Sequence, residues 1–343
     1  MSIKVAVLMS GGVDSSVVAA ILKEQGHDVT GLTMINWDTA AAEKAAMIAE
    51  FLGIEHKIVD LKNEFNDLII KYFASAYQQG LTPNPCVECN KYVKFGLLLQ
   101  AARKYGCDRA ATGHYARIEY DKGLNLYLLK KGLDTTKDQS YFLYGLEQDQ
   151  LAHALFPLGK MTKKEVRQLA HNMELPVADA GDSQEICFVA DDYRDFIKNR
   201  VQYRSGPVVD SEGKVLGRHR GLPFYTIGQR RGLGISSSHP LYVLSLDIEN
   251  NRLEVGAEGQ LYHHSLLAAD NNFISIDDLK EPMPVMAKIR YRADAAAAVI
   301  SQAGEQVRVE FETPQRAITP GQSVVYYQND CVVGGGIIMS HSR

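Results

Sequence analysis

Short apolar runs alternate with amphipathic stretches through the first part of the chain. Residues 4–9 form an apolar run of strand length, followed by Gly11-Gly12 and a helical pattern to about residue 25. Residues 28–33 read as a second strand, 41–52 as a helix with Gly53 just past its end, 55–59 as a third strand and 62–77 as a helix. A loop rich in Gly, Pro and Asn covers 80–90, then a helix runs to about 105 and a strand covers 108–112. This alternation predicts an α/β domain with a parallel sheet and right-handed crossovers, its ligands at the C-terminal strand ends. Helical patterns continue at 146–153 and 162–173. From about Gly206 short β-like runs take over, at 207–209, 214–216, 241–247 and 252–255, with Asn250-Asn251 as a hairpin turn. After Pro282 and Pro284 come further runs at 285–292, 297–301, 306–311, 323–327 and 331–338, the pattern of a small closed β-barrel. The expected division is 1–203, a central domain over 204–268, and a C-terminal barrel over 269–343.

Composition narrows the class. The 343 residues are 45% hydrophobic and 23% charged, which excludes disorder and collagen-like architecture. No apolar run approaches the ~20 residues of a membrane span, and no secretory leader is recognisable, so a cytoplasmic protein without a membrane partner is expected. The net charge is −4, so nucleic acid would have to meet a local patch. Between Arg204 and His239 stand Arg204, Lys214, Arg218, Arg220, Arg230 and Arg231 against two acids, Asp210 and Glu212. Phe224 and Tyr225 are interleaved, a pattern suited to phosphate contact and base stacking and equally to a solvated loop.

Candidate chemistry begins at Ser10-Gly11-Gly12-Val13-Asp14-Ser15-Ser16, between the first strand and the first helix. The glycines allow positive φ and close approach to a ligand, and the helix-start amides with the Ser10, Ser15 and Ser16 hydroxyls suit an anion. No Gly-Lys-Ser/Thr follows, so this is not a Walker loop. It resembles the PP-loop of ATP pyrophosphatases, which places Asp14 near the phosphates or their Mg²⁺.

Cys86 and Cys89 stand i, i+3 in Thr82-Pro83-Asn84-Pro85-Cys86-Val87-Glu88-Cys89-Asn90-Lys91, just before a helix. Position at a helix N-terminus, with Lys91 adjacent, predicts stabilised thiolates. A lone Cys-x-x-Cys is ambiguous between a redox dithiol, half a metal site and coincidence. Cys187 follows in Gly181–Val189, where its apolar neighbours favour a buried structural cysteine. Cys107 and Cys331 read as core residues.

Taken together, the strings resemble the tRNA 2-thiouridylase family over nearly the whole length. They include Ser10–Ser16, Asn36-Trp37, Thr82–Asn90, Ala111–Arg117, Lys137–Leu143, Phe156–Gly159, Asp182–Phe188, Tyr225–Arg230, Gly232–Ile235, Arg290–Arg292, Thr319–Gln322 and Gly334–Gly336. The resemblance implies a sulfurtransferase that adenylates the C2 oxygen of the wobble uridine with ATP and Mg²⁺ and then installs sulfur. It implies that Cys187 carries a persulfide delivered by a donor protein and that Cys89 resolves it, by freeing sulfide or by forming a disulfide. Leu8, Met9, Ser10, Gly11, Gly12, Val13, Asp14, Ser15, Met34 and Gly113 would bind the nucleotide. Asn84, Pro85 and Cys86 would lie against the base, and His114, Lys137, Asp138, Gln139, Arg290, Tyr291 and Gln322 would contact tRNA. Each has a plainer rival: a satisfied strand-end histidine for His114, a solvated turn for Lys137-Asp138, an ordinary strand face for Arg290 and Arg292.

Two departures from the family pattern matter. Cys86 stands where many members have an aspartate, a candidate acid/base. With Cys89 and Cys187 it makes three thiols, the ligand set of a four-iron cluster with one open iron. The stretch after Trp37 also enters the next helix almost directly, an abbreviated loop. Two other readings stay open: a PP-loop ligase or amidotransferase acting on a small metabolite, and a non-catalytic RNA-binding protein.

Overall fold

The computed structural model describes residues 2–36, 39–181, 186–189 and 192–342. Trp37 and the 182–185 part of the Asp182–Phe188 string lie outside the described residues.

The first domain is built on a five-stranded parallel sheet: β1 (Lys4–Leu8), β2 (Asp28–Ile35), β3 (Glu55–Asp60), β4 (Arg109–Ala111) and β7 (Ala154–Leu155), in the order β3-β2-β1-β4-β7. The order reverses at β1, so the crevice between the ends of β1 and β4 is the switch point where such sheets bind ligands. Helices cover both faces because the central strands are apolar on both sides; Val5, Val7 and Ala111 meet one core, Ala6, Leu8 and Leu32 the other, while the edge strand β3 is largely polar. The Ala40–Leu52 helix ends where Gly53 takes a left-handed conformation (φ 58°), with Ile54 N–H donating to Ala49 O at 3.0 Å. The helices over 62–78 and 85–104 each contain a π-helical stretch, Asn66–Ile70 and Cys89–Leu98.

A hairpin absent from the sequence expectations, β5 (Ala116–Asp121) and β6 (Leu126–Lys131), leaves this domain. Its polar–apolar alternation, Arg117-Ile118-Glu119-Tyr120, is that of a half-covered strand. It pairs through β6 with the C-terminal sheet.

The central sheet is β8 (Gly206–Val209), β9 (Val215–His219), β10 (Tyr242–Asp247) and β11 (Arg252–Gly256), in the order β10-β11-β8-β9. Asn251, at φ 49°, makes the β10–β11 turn. Val208, Phe224, Tyr225, Val243 and Val255 join one core with Phe65, Phe73 and Phe188 of the first domain. Phe224 and Tyr225 are therefore buried, which corrects their expected role as stacking platforms; Tyr203, just before this domain, is exposed.

Six strands close the C-terminal barrel: β12 (Tyr262–Phe273), β13 (Met283–Lys288), β14 (Ala296–Ala303), β15 (Gln306–Arg316), β16 (Ser323–Gln328) and β17 (Cys331–Ser342). They run in the order β12-β15-β14-β13-β16-β17, with β17 returning to β12. The strand expected over 285–292 ends at Lys288, so Arg290–Arg292 occupy the turn after β13 and not a strand face. The barrel shares a core with the first domain: Val87, Phe95, Tyr141 and Leu143 pack with Ile274, Val325, Tyr327 and Val332.

Candidate active site

The loop after β1 is shaped by its glycines and serines. Gly11 has φ 73°, and a Cβ there would lie 2.7 Å from Lys44 Cβ. Gly12 caps the Val13–Glu24 helix without a side-chain hydrogen bond, so the first helical N–H groups face the crevice free for an anion. Ser15 Oγ accepts from Ser10 N (3.2 Å) and lies 3.3 Å from Ser10 Oγ. The Ser16 hydroxyl donates to Gly12 O at 2.8 Å and that of Ser15 to the same oxygen at 3.2 Å. Leu8, Met9 and Val13 are buried, which leaves only their backbone to face a ligand. Met34 is half-buried near the end of β2.

Gly113, just past β4, closes the crevice. A Cβ there would sit 2.8 Å from Asp14 Cβ and 3.1 Å from Ser15 N. Asp14 Oδ1 accepts from Lys163 Nζ (2.7 Å) and from the Tyr115 hydroxyl (2.9 Å). Lys163 opens the Lys163–Asn172 helix, whose first turn is fixed by a capping box between Thr162 and Glu165. Sequence reasoning missed Lys163; its approach to Asp14 spans 149 positions.

The second half of the site is a group of thiols. Pro85 at the first helical position and the extended Asn84 (φ −111°, ψ 84°) start the 85–104 helix, placing Cys86 and Cys89 in its first turns. Cys89 is buried and Cys86 half-buried. Cys187 is exposed, against the expectation from its apolar neighbours. Its flanks are the anchors: Phe188 packs edge-on to Phe65 (5.7 Å) and Phe73 (5.3 Å), and Val189 is buried.

The three thiols share one electrostatic neighbourhood. A thiolate at Cys187 would repel one at Cys86 or Cys89, and Lys94 attracts all three. Desolvation outweighs that attraction: it raises Cys86, pushes the buried Cys89 up to about 12, and raises Cys187 as well, whose side chain reaches solvent but has protein packed around its base. This corrects the expected depressed values, because desolvation exceeds the attraction of Lys94. The relevant cation is Lys94, not Lys91, whose ammonium lies 3.9 Å from Glu147. Among the described residues no carboxylate pairs with Lys94.

Among the described residues no three His, Cys, Asp or Glu side chains form a group able to hold a metal ion. The thiol set therefore does not fit an iron–sulfur cluster in this arrangement, and no step below passes through one.

None of the ten residues expected at the tRNA is fully exposed. The Asn84 side-chain amide has no hydrogen bond among the described residues, and Pro85 is buried beside it. His114 is a core histidine, 8% exposed, bonded through Nδ1 to Thr112 Oγ1 (2.8 Å) and packed against the Phe95 and Phe156 rings. Burial, with Lys94 nearby, holds it well below the usual histidine range. Lys137 is half-buried. Asp138 accepts from Gly132 N and from Ser140 N and Oγ, and Gln139 Oε1 accepts from Tyr115 N, so both brace a loop. Arg290 donates to the Ala317 carbonyl at 2.8 Å and to that of Arg316. Tyr291 packs on Phe142 (4.5 Å) beneath Lys288 (5.5 Å), a cation the sequence reading did not single out. Gln322 donates to Thr82 O at 2.9 Å.

Three family models match the chain in order. They are a tRNA methyl transferase HUP domain over 3–191, a tRNA methyl transferase PRC-barrel domain over 194–257 and an aminomethyltransferase beta-barrel domain over 263–338. The chain is 52% identical to tRNA-specific 2-thiouridylase MnmA of Syntrophomonas wolfei, over 98% of this chain and 99% of the relative. It is 52% identical to MnmA 1 of Caldanaerobacter subterraneus, covering 99% of both chains. It is 49% identical to MnmA of Heliobacterium modesticaldum, over 98% of this chain and 92% of the relative. With identity at this level from end to end, and a nucleotide-type loop and three neighbouring thiols in the fold, the chain belongs to the tRNA-specific 2-thiouridylase family.

Proposed function

We propose that this protein is a cytoplasmic enzyme that converts the wobble uridine of tRNA anticodons to 2-thiouridine, using ATP and a persulfide sulfur. The observation that carries the reading is the end-to-end likeness to tRNA-specific 2-thiouridylases, in a fold whose β1–β4 crevice carries the anion loop and in which Cys89 and Cys187 both feel the charge of Lys94.

The uridine O2 is a poor leaving group until activated. It attacks the α-phosphorus of ATP and pyrophosphate departs. The free N–H groups at Val13 and Asp14, with Ser10 and Ser15, would hold the phosphates. Asp14 would hold a phosphate-bound Mg²⁺, which would neutralise charge on the leaving group. The terminal sulfur of a Cys187 persulfide then attacks C2, and AMP leaves. Cys89 thiolate attacks Cys187 Sγ, releasing 2-thiouridine and leaving a Cys89–Cys187 disulfide. Alternatively Cys89 attacks first and frees hydrosulfide, which attacks C2; the same disulfide results. Either route needs a two-electron thiol reductant to reset the enzyme and a donor protein to reload Cys187. Exposure of Cys187 suits loading by a protein, and burial of Cys89 suits a resolving thiol shielded from other disulfides. Lys94 would stabilise whichever sulfur is anionic.

In this scheme residues 1–203 carry the chemistry, while 204–268 and 269–343 hold tRNA. The test is nucleoside mass spectrometry of tRNA from cells lacking the protein, complemented by wild type, Cys89→Ser or Cys187→Ser. The wild type restores 2-thiouridine and neither variant does; unchanged 2-thiouridine on deletion would refute the reading.

A further inference from the structure

The corner between β15 and β16 reaches across to the segment that leads into the cysteine helix. Thr82 N donates to Pro320 O at 2.9 Å, and Gln322 Nε2 donates to Thr82 O at 2.9 Å. The Pro83 carbonyl lies 3.5 Å from the same Nε2. Gly321, at φ 88°, makes the approach possible: a Cβ there would stand 2.8 Å from Thr82 N and 2.9 Å from Leu81 Cβ. The corner is itself held by the barrel, since Gly321 N donates to Ile338 O and Ile338 N donates to Gln322 O, both at 2.8 Å. Pro83 and Pro85 are buried and stiffen the three residues between this contact and Cys86.

We propose that Gln322 is a positioning residue: together with Gly321 it clips the Thr82-Pro83 backbone to the barrel and so fixes where Cys86 and Cys89 stand. This deepens the reading above and rests on it, since Cys89 is the resolving thiol of the sulfur transfer. It assigns Gln322 a task other than touching tRNA. Its amide already donates to the loop, so the side chain acts through Thr82 and Pro83.

Two variants separate the roles. Gln322→Glu replaces the donor with a carboxylate facing two carbonyl oxygens. Gly321→Ala pushes Thr82 away and changes no side chain able to reach RNA. The first readout is iodoacetamide alkylation of each cysteine in the ligand-free full-length protein, mapped by mass spectrometry, with buried Cys107 as internal control. Both variants are expected to speed alkylation of Cys89 about tenfold over wild type, with Cys107 unchanged. The second is turnover: kcat for 2-thiouridine formation falls about tenfold while tRNA Kd stays within about twofold. The inference is overturned if alkylation of Cys89 is unchanged in both variants, or if Cys107 accelerates equally, which is general loosening. It is also overturned if Gln322→Glu weakens tRNA binding with kcat at saturation intact. The alkylation arm needs neither tRNA nor ATP, so its failure is distinguishable from failure of the proposed activity.

Discussion

Lys163 Nζ stands 2.7 Å from Asp14 Oδ1, joining the loop after β1 to the start of a helix far along the chain. The lysine side chain is 12% exposed and the aspartate 33%, so the pair is partly shielded from water. Lys163→Met is expected to leave the Asp14 carboxylate with only Tyr115 and to lower stability by about 1–3 kcal/mol. ATP affinity should fall with it. Thermal unfolding with and without ATP checks both.

Gly113 abuts the same loop from the β4 side. Gly113→Ala places a methyl group within 2.8 Å of Asp14 Cβ, and the overpacking should cost about 1–3 kcal/mol or displace the loop. The expected outcome is weaker ATP binding by calorimetry with the thiol alkylation rates unaltered.

Lys94 lowers all three thiols, although burial prevails. Lys94→Met should shift the pH profile of Cys187 alkylation to higher pH, so that the rate at pH 8 falls, whereas Lys94→Arg keeps it. An unshifted Lys94→Met profile would remove Lys94 from the thiol environment.

Buried titratable groups set the pH limits of stability. His114 is held well below its unfolded value, so its stabilising effect is complete above about pH 6.5 and is lost as pH falls and the unfolded chain takes the proton. His56, His219 and His341 are lowered by burial in the same sense. Cys89 is raised to about 12, so its effect is complete below about pH 8.5 and is lost as pH rises toward that value. Denaturant melts should show stability falling on both sides; His114→Gln should flatten the acid limb in part, and Cys89→Ala the alkaline limb.

Arg230 is exposed beside a cavity of about 240 Å³ that it lines with Leu233, Ile235, Ser237 and His239. Arg230→Ala should weaken tRNA binding uniformly and reduce the salt slope by about 1. Filter binding at several salt concentrations measures this; an unchanged slope takes Arg230 out of the interface.

The parallel sheet was legible because β1, β2 and β4 are apolar on both faces, and the nucleotide loop because its glycines and serines are local. Gly113 came from a motif, and the structure supplies the reason: the loop backbone leaves no room for a Cβ. Lys94 and Lys163 were invisible for the opposite reason. Each looks like an ordinary solvated lysine until chain segments distant in sequence are folded against it. Cys187 misled because hydrophobic neighbours usually mean burial. Here Phe188 and Val189 are the buried residues, and the turn at Cys187 directs that side chain outward. His114 and Gln139 sit within strings that carry the family resemblance, yet their polar atoms serve the fold at Thr112 and Tyr115.

Among the described residues the outer strand that pairs with the β5–β6 hairpin is β17, at Lys130 and Cys331, and Arg117 meets Asp330 at 2.6 Å across 213 positions. During synthesis on the ribosome, the nucleotide domain therefore emerges with an unpaired strand edge that waits for the barrel. The Thr82-Pro83 segment waits equally long for Gln322. An incomplete chain would present an assembled anion loop beside unbraced cysteines, so capacity to bind ATP should precede capacity to transfer sulfur. Quality control of the newborn enzyme thus falls on its final strands.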